Sequence, residues 1–149
     1  MSKAITFKYR SRLAQQLAQP GGRTIADAVR RAENGVETHR EASMQAVAAI
    51  LTKLEHASTA REPDSGQAIY DLAASLVDLA GFFDTGPLYA AAYSLCELTD
   101  AMLAGGTWDW PSVEVHVRAL RLILADGCSD GEMSRIIMAG LSALVARAR

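Results

Sequence analysis

The amino-acid sequence predicts an all-α fold, and three observations carry that prediction. No run of Val, Ile, Thr or aromatic residues alternates with polar ones, so strand signals are almost absent. Glycine and proline gather at a few breaks: Pro20-Gly21-Gly22, Pro63-Asp64-Ser65-Gly66, Gly86-Pro87, Gly105-Gly106, Pro111, and Gly127 to Gly131. Between the breaks, apolar residues return at steps of three and four, the period of one helix face.

The first segment, Lys3 to Ala18, reads as a weak amphipathic helix or partly disordered chain with Phe7, Leu13 and Leu17 as its apolar residues. The second opens on Thr24 with Asp27 three residues on. That pair resembles a capping box, in which side-chain oxygens satisfy helix N–H groups that have no partner. Ile25, Val29, Ala32, Val36, His39, Ser43, Ala46 and Ile50 then repeat at alternating steps of four and three, a heptad seam running to about Ser58. Asn34-Gly35 is a stop signal by composition, but the seam keeps its phase across it. One helix on the order of 50 Å long is therefore expected.

The third helix follows Pro63 to Gly66 and buries Ile69, Leu72, Ala73, Leu76, Ala80 and Phe83. The fourth begins near Pro87, which suits a first turn because its missing N–H has no partner to lose there; it buries Leu88, Ala92, Leu95, Thr99 and Met102. The fifth begins near Pro111 and buries Val113, Val117, Leu120 and Leu124. The last is capped by Ser129 or Asp130 and buries Met133, Ile137, Leu141 and Leu144, with Arg147 and Arg149 against the negative end of its dipole. These four elements are each about four to five turns and cover only half of the long helix. The other half needs the N-terminal segment or a second copy of the chain as cover. A homodimer through Ile25, Val29, Ala32, Val36 and His39 is therefore expected, with His39 making association sensitive to pH.

Composition bounds the rest. The 149 residues, 50% apolar, imply one domain with a real core and exclude disorder for most of the chain. Residues 1–23 read as a basic segment and residues 24–149 as a single helical domain. A net charge of -2 argues against a general nucleic-acid binder, and no apolar run approaches the ~20 residues that span a membrane. The N-terminus lacks the apolar core of a signal peptide, and Cys96 and Cys128 show no CxxC or metal-finger spacing, so a cytoplasmic protein with reduced thiols is expected. The charge is segregated. Lys3, Lys8, Arg10, Arg12, Arg23, Arg30 and Arg31 share their stretch with one acid, Asp27, whereas no Lys or Arg lies between Glu62 and Val117. Either this field steers an external partner, or the basic segment lies on the acidic half, within the chain or across a dimer.

Signatures of catalysis are missing: there is no glycine-rich phosphate loop, GxSxG, HExxH or CxxC, and His39, His56 and His116 are dispersed without ligand spacing. No enzyme, cofactor or metal is expected. Cys96, in the apolar helical run Leu95-Cys96-Glu97-Leu98, reads as a packing residue. Trp108 and Trp110 flank Asp109 before the fifth helix, where tryptophan either seals a bundle end or meets a partner.

One stretch is more specific. The run from Ala74 to Leu88, ASLVDLAGFFDTGPL, resembles the signature hairpin of histidine phosphotransfer (HPt) domains, whose helix carries a pattern like H-x-L-K-G-x-A-G-x-x-G-x-x-x-L. Leu76 matches the leucine two places after the histidine, Ala80-Gly81 the small pair, and Phe83 and Leu88 the apolar positions that close the hairpin. The resemblance covers Gly66 to Leu103 and implies an antiparallel four-helix bundle, here with a long N-terminal helix added. The departures bear on function. The phosphoacceptor position is Ala74, the assisting lysine position is Val77, and a glycine position is Asp78. Helical spacing sets Asp71, Ala74 and Asp78 on one outward stripe, so a phosphohistidine there would face two carboxylates and no cation. With the nucleophile also missing, transfer at that spot is excluded.

The segments from Tyr89 to Leu98 and from Trp108 to Leu122 are similar to those of small alphaproteobacterial CheE-like chemotaxis accessory proteins, a resemblance that implies a role in two-component or chemotaxis signalling. The expected function is non-enzymatic: docking on a response-regulator receiver domain or histidine kinase through Asp71, Ala74, Ser75, Asp78 and Phe82. His116 is the one histidine able to replace the missing acceptor, with Arg118 and Arg121 on its helix to hold a phosphoryl group. Otherwise it is a half-buried histidine bonded to a backbone carbonyl or to Glu114. A third reading is a dimeric structural adaptor that acts through the long helix.

Overall fold

Helix boundaries follow local chemistry throughout the structure, a computed structural model that describes residues 12–17, 24–83 and 85–148. The helices are α1 (Arg12–Leu17), α2 (Ile25–Ala60), α3 (Ser65–Phe82), α4 (Pro87–Gly105), α5 (Trp110–Ala125) and α6 (Glu132–Ala148). Among the described residues there is no strand, and no helix is long and apolar enough to cross a membrane. The all-α expectation therefore holds. The chain divides into two compact units, Met1–His39 and Arg40–Arg149.

The larger unit is organised by α4, which touches α3, α5 and α6, while α5 also meets α6. Being covered from three sides, α4 buries Leu88, Ala91, Ala92, Ser94, Leu95, Leu98, Thr99 and Met102. Pro87 occupies its first turn, and it ends at Gly106, whose left-handed φ of 68° lets its N–H reach Met102 O at 2.9 Å. The α3–α4 turn is closed by buried Thr85, whose N–H (3.4 Å) and hydroxyl (3.0 Å) both donate to Ala80 O. Gly81 lets the Tyr89 ring lie against α3: a Cβ there would stand 3.1 Å from the ring.

An N-cap unforeseen in the sequence starts α5. The Asp109 carboxylate accepts from Ser112 N (3.4 Å) and Ser112 Oγ (2.5 Å). Arg121 on α5 holds Glu55 of α2 with a two-pronged contact, Nε–H to Oε1 at 2.8 Å and Nη2–H to Oε2 at 2.5 Å. Arg61, just past α2, donates to Glu114 at 2.6 Å and lies 5.7 Å above the Trp110 ring. Trp110 in turn stacks on Trp108 at 5.3 Å, and both are half-buried against the core.

Four expectations need correction. The part of α2 that enters the core buries Val47, Leu51, Leu54 and Ser58, whereas Ser43, Ala46 and Ile50 of the extrapolated seam are only half-buried. A strict heptad drifts by about 20° per repeat on a straight helix, so after three repeats the next residue along takes the inward place. On α6, Met133 is 62% exposed, and the buried residues are Ser134, Leu141 and Val145 with Ile137 at their edge. Capping there falls to neither Ser129 nor Asp130. Ser134 Oγ accepts from Gly131 N at 3.0 Å and donates to Gly131 O at 2.8 Å, while Asp130 faces Arg135. Finally, Leu72, Leu124 and Leu144 border the core rather than lie within it, and Phe83 is only half-buried.

In the Met1–His39 unit, Thr24 and Asp27 form the expected capping box. Asp27 N donates to Thr24 Oγ1 at 3.1 Å and the Thr24 hydroxyl donates back to Asp27 Oδ2 at 2.8 Å. These bonds from Thr24, side chain then backbone, hold the Asp27 carboxyl below its ordinary range, with Arg30 adding to the effect. The helix continues unbroken through Asn34-Gly35. Leu13 of α1 is exposed; Phe7, the N-terminal basic residues up to Arg10, Arg23 and Arg149 lie outside the described residues.

Gly66 sits under Trp108, where a Cβ would come within 2.4 Å of the indole. Gly66→Ala is therefore expected to push Trp108 off its seat and destabilise the fold by about 1–3 kcal/mol, read as a lowered denaturation midpoint with altered tryptophan emission.

Candidate functional site

Two places emerge for chemistry or recognition, the outward face of α3 and the histidine on α5. On α3, steps of three and four bring Asp71, Ser75, Asp78 and Phe82 to the exposed side with Ala74 half-buried among them. Asp71 accepts from Gln67 Nε2 at 2.9 Å, and the Ser75 hydroxyl donates to Asp71 O at 2.9 Å. Phe82 is 80% exposed, with its ring edge-on to Phe83 at 4.8 Å. The face is acidic by sequence, because neither α3 nor α4 contains a Lys or Arg.

His116 is fully buried rather than half-buried. Nδ1 lies 2.8 Å from Ser112 O, which can only accept, so Nδ1 carries the proton. Nε2, 3.0 Å from Ser94 Oγ, then accepts the Ser94 hydroxyl. The ring is neutral and both nitrogens are occupied. Burial is the main cause lowering its pKa below the ordinary 6.5, and the bond to Ser112 opposes it weakly. Arg118 and Arg121 do not join it. Arg118 faces Glu114 at 3.7 Å and Arg121 holds Glu55. Neither nitrogen is open to a phosphoryl donor while α4 and α5 are packed.

Ser94 is the residue that the sequence reading missed. It looks like any small residue in an alanine-rich helix, and only the fold places it opposite His116, twenty-two positions on. A hydroxyl aimed at an imidazole is also how a nucleophile meets its base. Ser94, however, sits mid-helix, where the neighbouring N–H groups are spent inside α4 and cannot hold an oxyanion.

The cysteines are free and half-buried. The Cys96 thiol is pushed up to about 11 by burial first and then by the carboxylates of Asp78 and Asp100, which disfavours a reactive thiolate. Burial also raises Cys128, against a weaker pull from Arg40. Among the described residues no three His, Cys, Asp or Glu side chains converge in a way that could hold a metal. The seam residues Ile25, Val29, Ala32, Val36 and His39 are all exposed. Comparison of the chain with protein-family models, curated proteins and solved structures returns no match.

The buried imidazole makes stability depend on pH with a definite sign. Its folded pKa is below the unfolded 6.5, so its full contribution is present above 6.5 and is lost as acidification charges the unfolded ring first. Denaturation at a series of pH values should show this decline beginning above the carboxylate range, and His116→Gln should flatten it. Ser94→Ala, which leaves Nε2 unpaired, is expected to cost about 1–3 kcal/mol at neutral pH.

Proposed function

We propose that the chain is a non-enzymatic signalling protein. It is an HPt-like antiparallel four-helix scaffold that docks on a receiver domain or a histidine kinase and modulates a phosphorelay without carrying phosphate at the usual helix position. The observation that carries this reading is the exposed α3 face, with Asp71, Ser75, Asp78 and Phe82 turned to solvent around Ala74. Phe82 offers apolar area of the kind that anchors interfaces. Asp71 and Asp78 select a partner surface rich in Lys and Arg, a charge preference opposite to that of a face built to hold phosphohistidine. The short α3–α4 turn, with Gly81 against Tyr89, suits the hairpin that the resemblance implies.

The alternative acceptor, His116, requires α4 and α5 to part and Ser94 to release Nε2 before phosphate can reach it. Binding without transfer is the reading that leaves the core intact.

Titration calorimetry of the full chain against the host's receiver domains and kinases tests the proposal. One partner should bind, more weakly as salt rises, and Asp71→Lys with Asp78→Lys should reduce affinity by about tenfold or more. Phe82→Ala should weaken the same complex. Silence from every partner, or binding indifferent to all three substitutions, overturns the reading.

A further inference from the structure

The acidic face of α3 continues onto α4 through aromatic side chains. Asp71, Ala74, Asp78 and Gly81 follow one another at steps of three and four on α3, and Tyr89, Tyr93, Cys96 and Asp100 do so on α4. Two interactions join these rows. The Tyr89 ring lies against Gly81, and the Cys96 thiol is raised by burial first and then by Asp78 of α3 and Asp100 of its own helix. Tyr93 stands between Tyr89 and Cys96 on its row, which brings it to the Asp78 side of the seam. Tyr93 is 51% exposed and Tyr89 41%, and their rings are stacked with centroids 6.4 Å apart. We propose that Tyr93 and Asp78, with Tyr89 stacked on the first, form a seat for an arginine side chain of the docking partner, so that arginine is recognised in preference to lysine. This assignment rests on the reading of α3 as the docking face.

Charge and ring chemistry together select that occupant. Neither α3 nor α4 contains a Lys or Arg, so these helices supply no cation of their own to Asp78 or to the rings. A carboxylate by itself would accept either cation. A phenol ring half turned to solvent does not treat the two alike. The guanidinium is planar and weakly hydrated, so it lies flat on an aromatic face while its N–H groups, which point outward in its own plane, still donate to a carboxylate beside the ring. The ammonium of lysine is a compact charge that holds its water and stacks on nothing. One such contact at a half-exposed site is modest, so the discrimination expected is a few-fold rather than absolute.

Gly81 supplies an independent argument. Glycine is unfavourable inside a helix, and here it lets the Tyr89 ring down onto α3, because a side chain at that position would stand 3.1 Å from the ring. Seating Tyr89 in this way fixes the first ring of the stacked pair and, through the stack, restrains the second. Aromatic rings held in place lose little freedom when a partner covers them, the property that makes tyrosine and arginine frequent at the centres of interfaces.

Magnetic resonance titration of the full, isotope-labelled chain with acetylated tetra-arginine and tetra-lysine peptides reads the seat without any partner protein. Tetra-arginine should bind about threefold or more tightly than tetra-lysine, with the largest shifts at Asp78, Tyr89 and Tyr93. Tyr93→Ala should abolish the preference, Tyr93→Phe should keep it because the ring face remains, and Asp78→Asn should weaken both peptides. Equal binding of the two peptides to the wild type, loss of the preference in Tyr93→Phe, or a preference that survives Tyr93→Ala overturns the proposal. Silence from every receiver domain and kinase, with the two peptides still told apart through Tyr93, would sink the docking reading and leave the arginine seat standing.

Discussion

A helix covered by three others must be lined with side chains small enough for close approach, and it must satisfy every hydroxyl that it carries inward. In this protein α4 is that helix. Ala91 and Ala92 give the room, the Thr99 hydroxyl donates to Leu95 O at 2.8 Å, and the Ser94 hydroxyl donates a hydrogen bond to His116 Nε2. The last contact joins α4 to α5. It continues through Nδ1–H to Ser112 O, and Ser112 is itself held by the Asp109 cap. Removing one member leaves a buried polar atom unpaired, which costs more than the bond contributes when made. Among the described residues no buried side-chain polar atom lacks a partner.

This arrangement separates the core from the exposed helix faces. His116 is used for packing, and the outward face of α3 holds Asp71, Asp78 and Ala74. Among the described residues α3 exposes Asp71, Asp78 and Phe82, and the first half of α2 exposes Ile25, Val29 and Val36.

Much of the fold was legible in the sequence because each helix announces itself locally. Pro87 and Gly106 bound α4, the Thr24–Asp27 box starts α2, and the 3.6 period picked out Leu88, Ala92, Leu95, Thr99 and Met102, all of which are buried. What was not legible depends on partners distant in sequence. The depth of His116 is set by α4 lying over it, and Ser94 has no signature until that happens. The heptad extrapolation into the core missed by one residue, because the drift of a straight helix accumulates over three repeats. At α6, the hydroxyl of Ser134 inside the helix replaced the cap expected before it. The stripe of Asp71, Ser75, Asp78 and Phe82 needed only the period of one helix, and its exposure agrees with the spacing.

The most direct test of the account is the ring nitrogen spectrum of His116 in the full, isotope-labelled chain, recorded alone and then with phosphorylated receiver domains. The account predicts a neutral imidazole protonated on Nδ1, titrating below the ordinary histidine value of 6.5 and unchanged by the phosphorylated partners. A ring that titrates freely, or one that acquires the nitrogen–phosphorus signature of phosphohistidine, would contradict it.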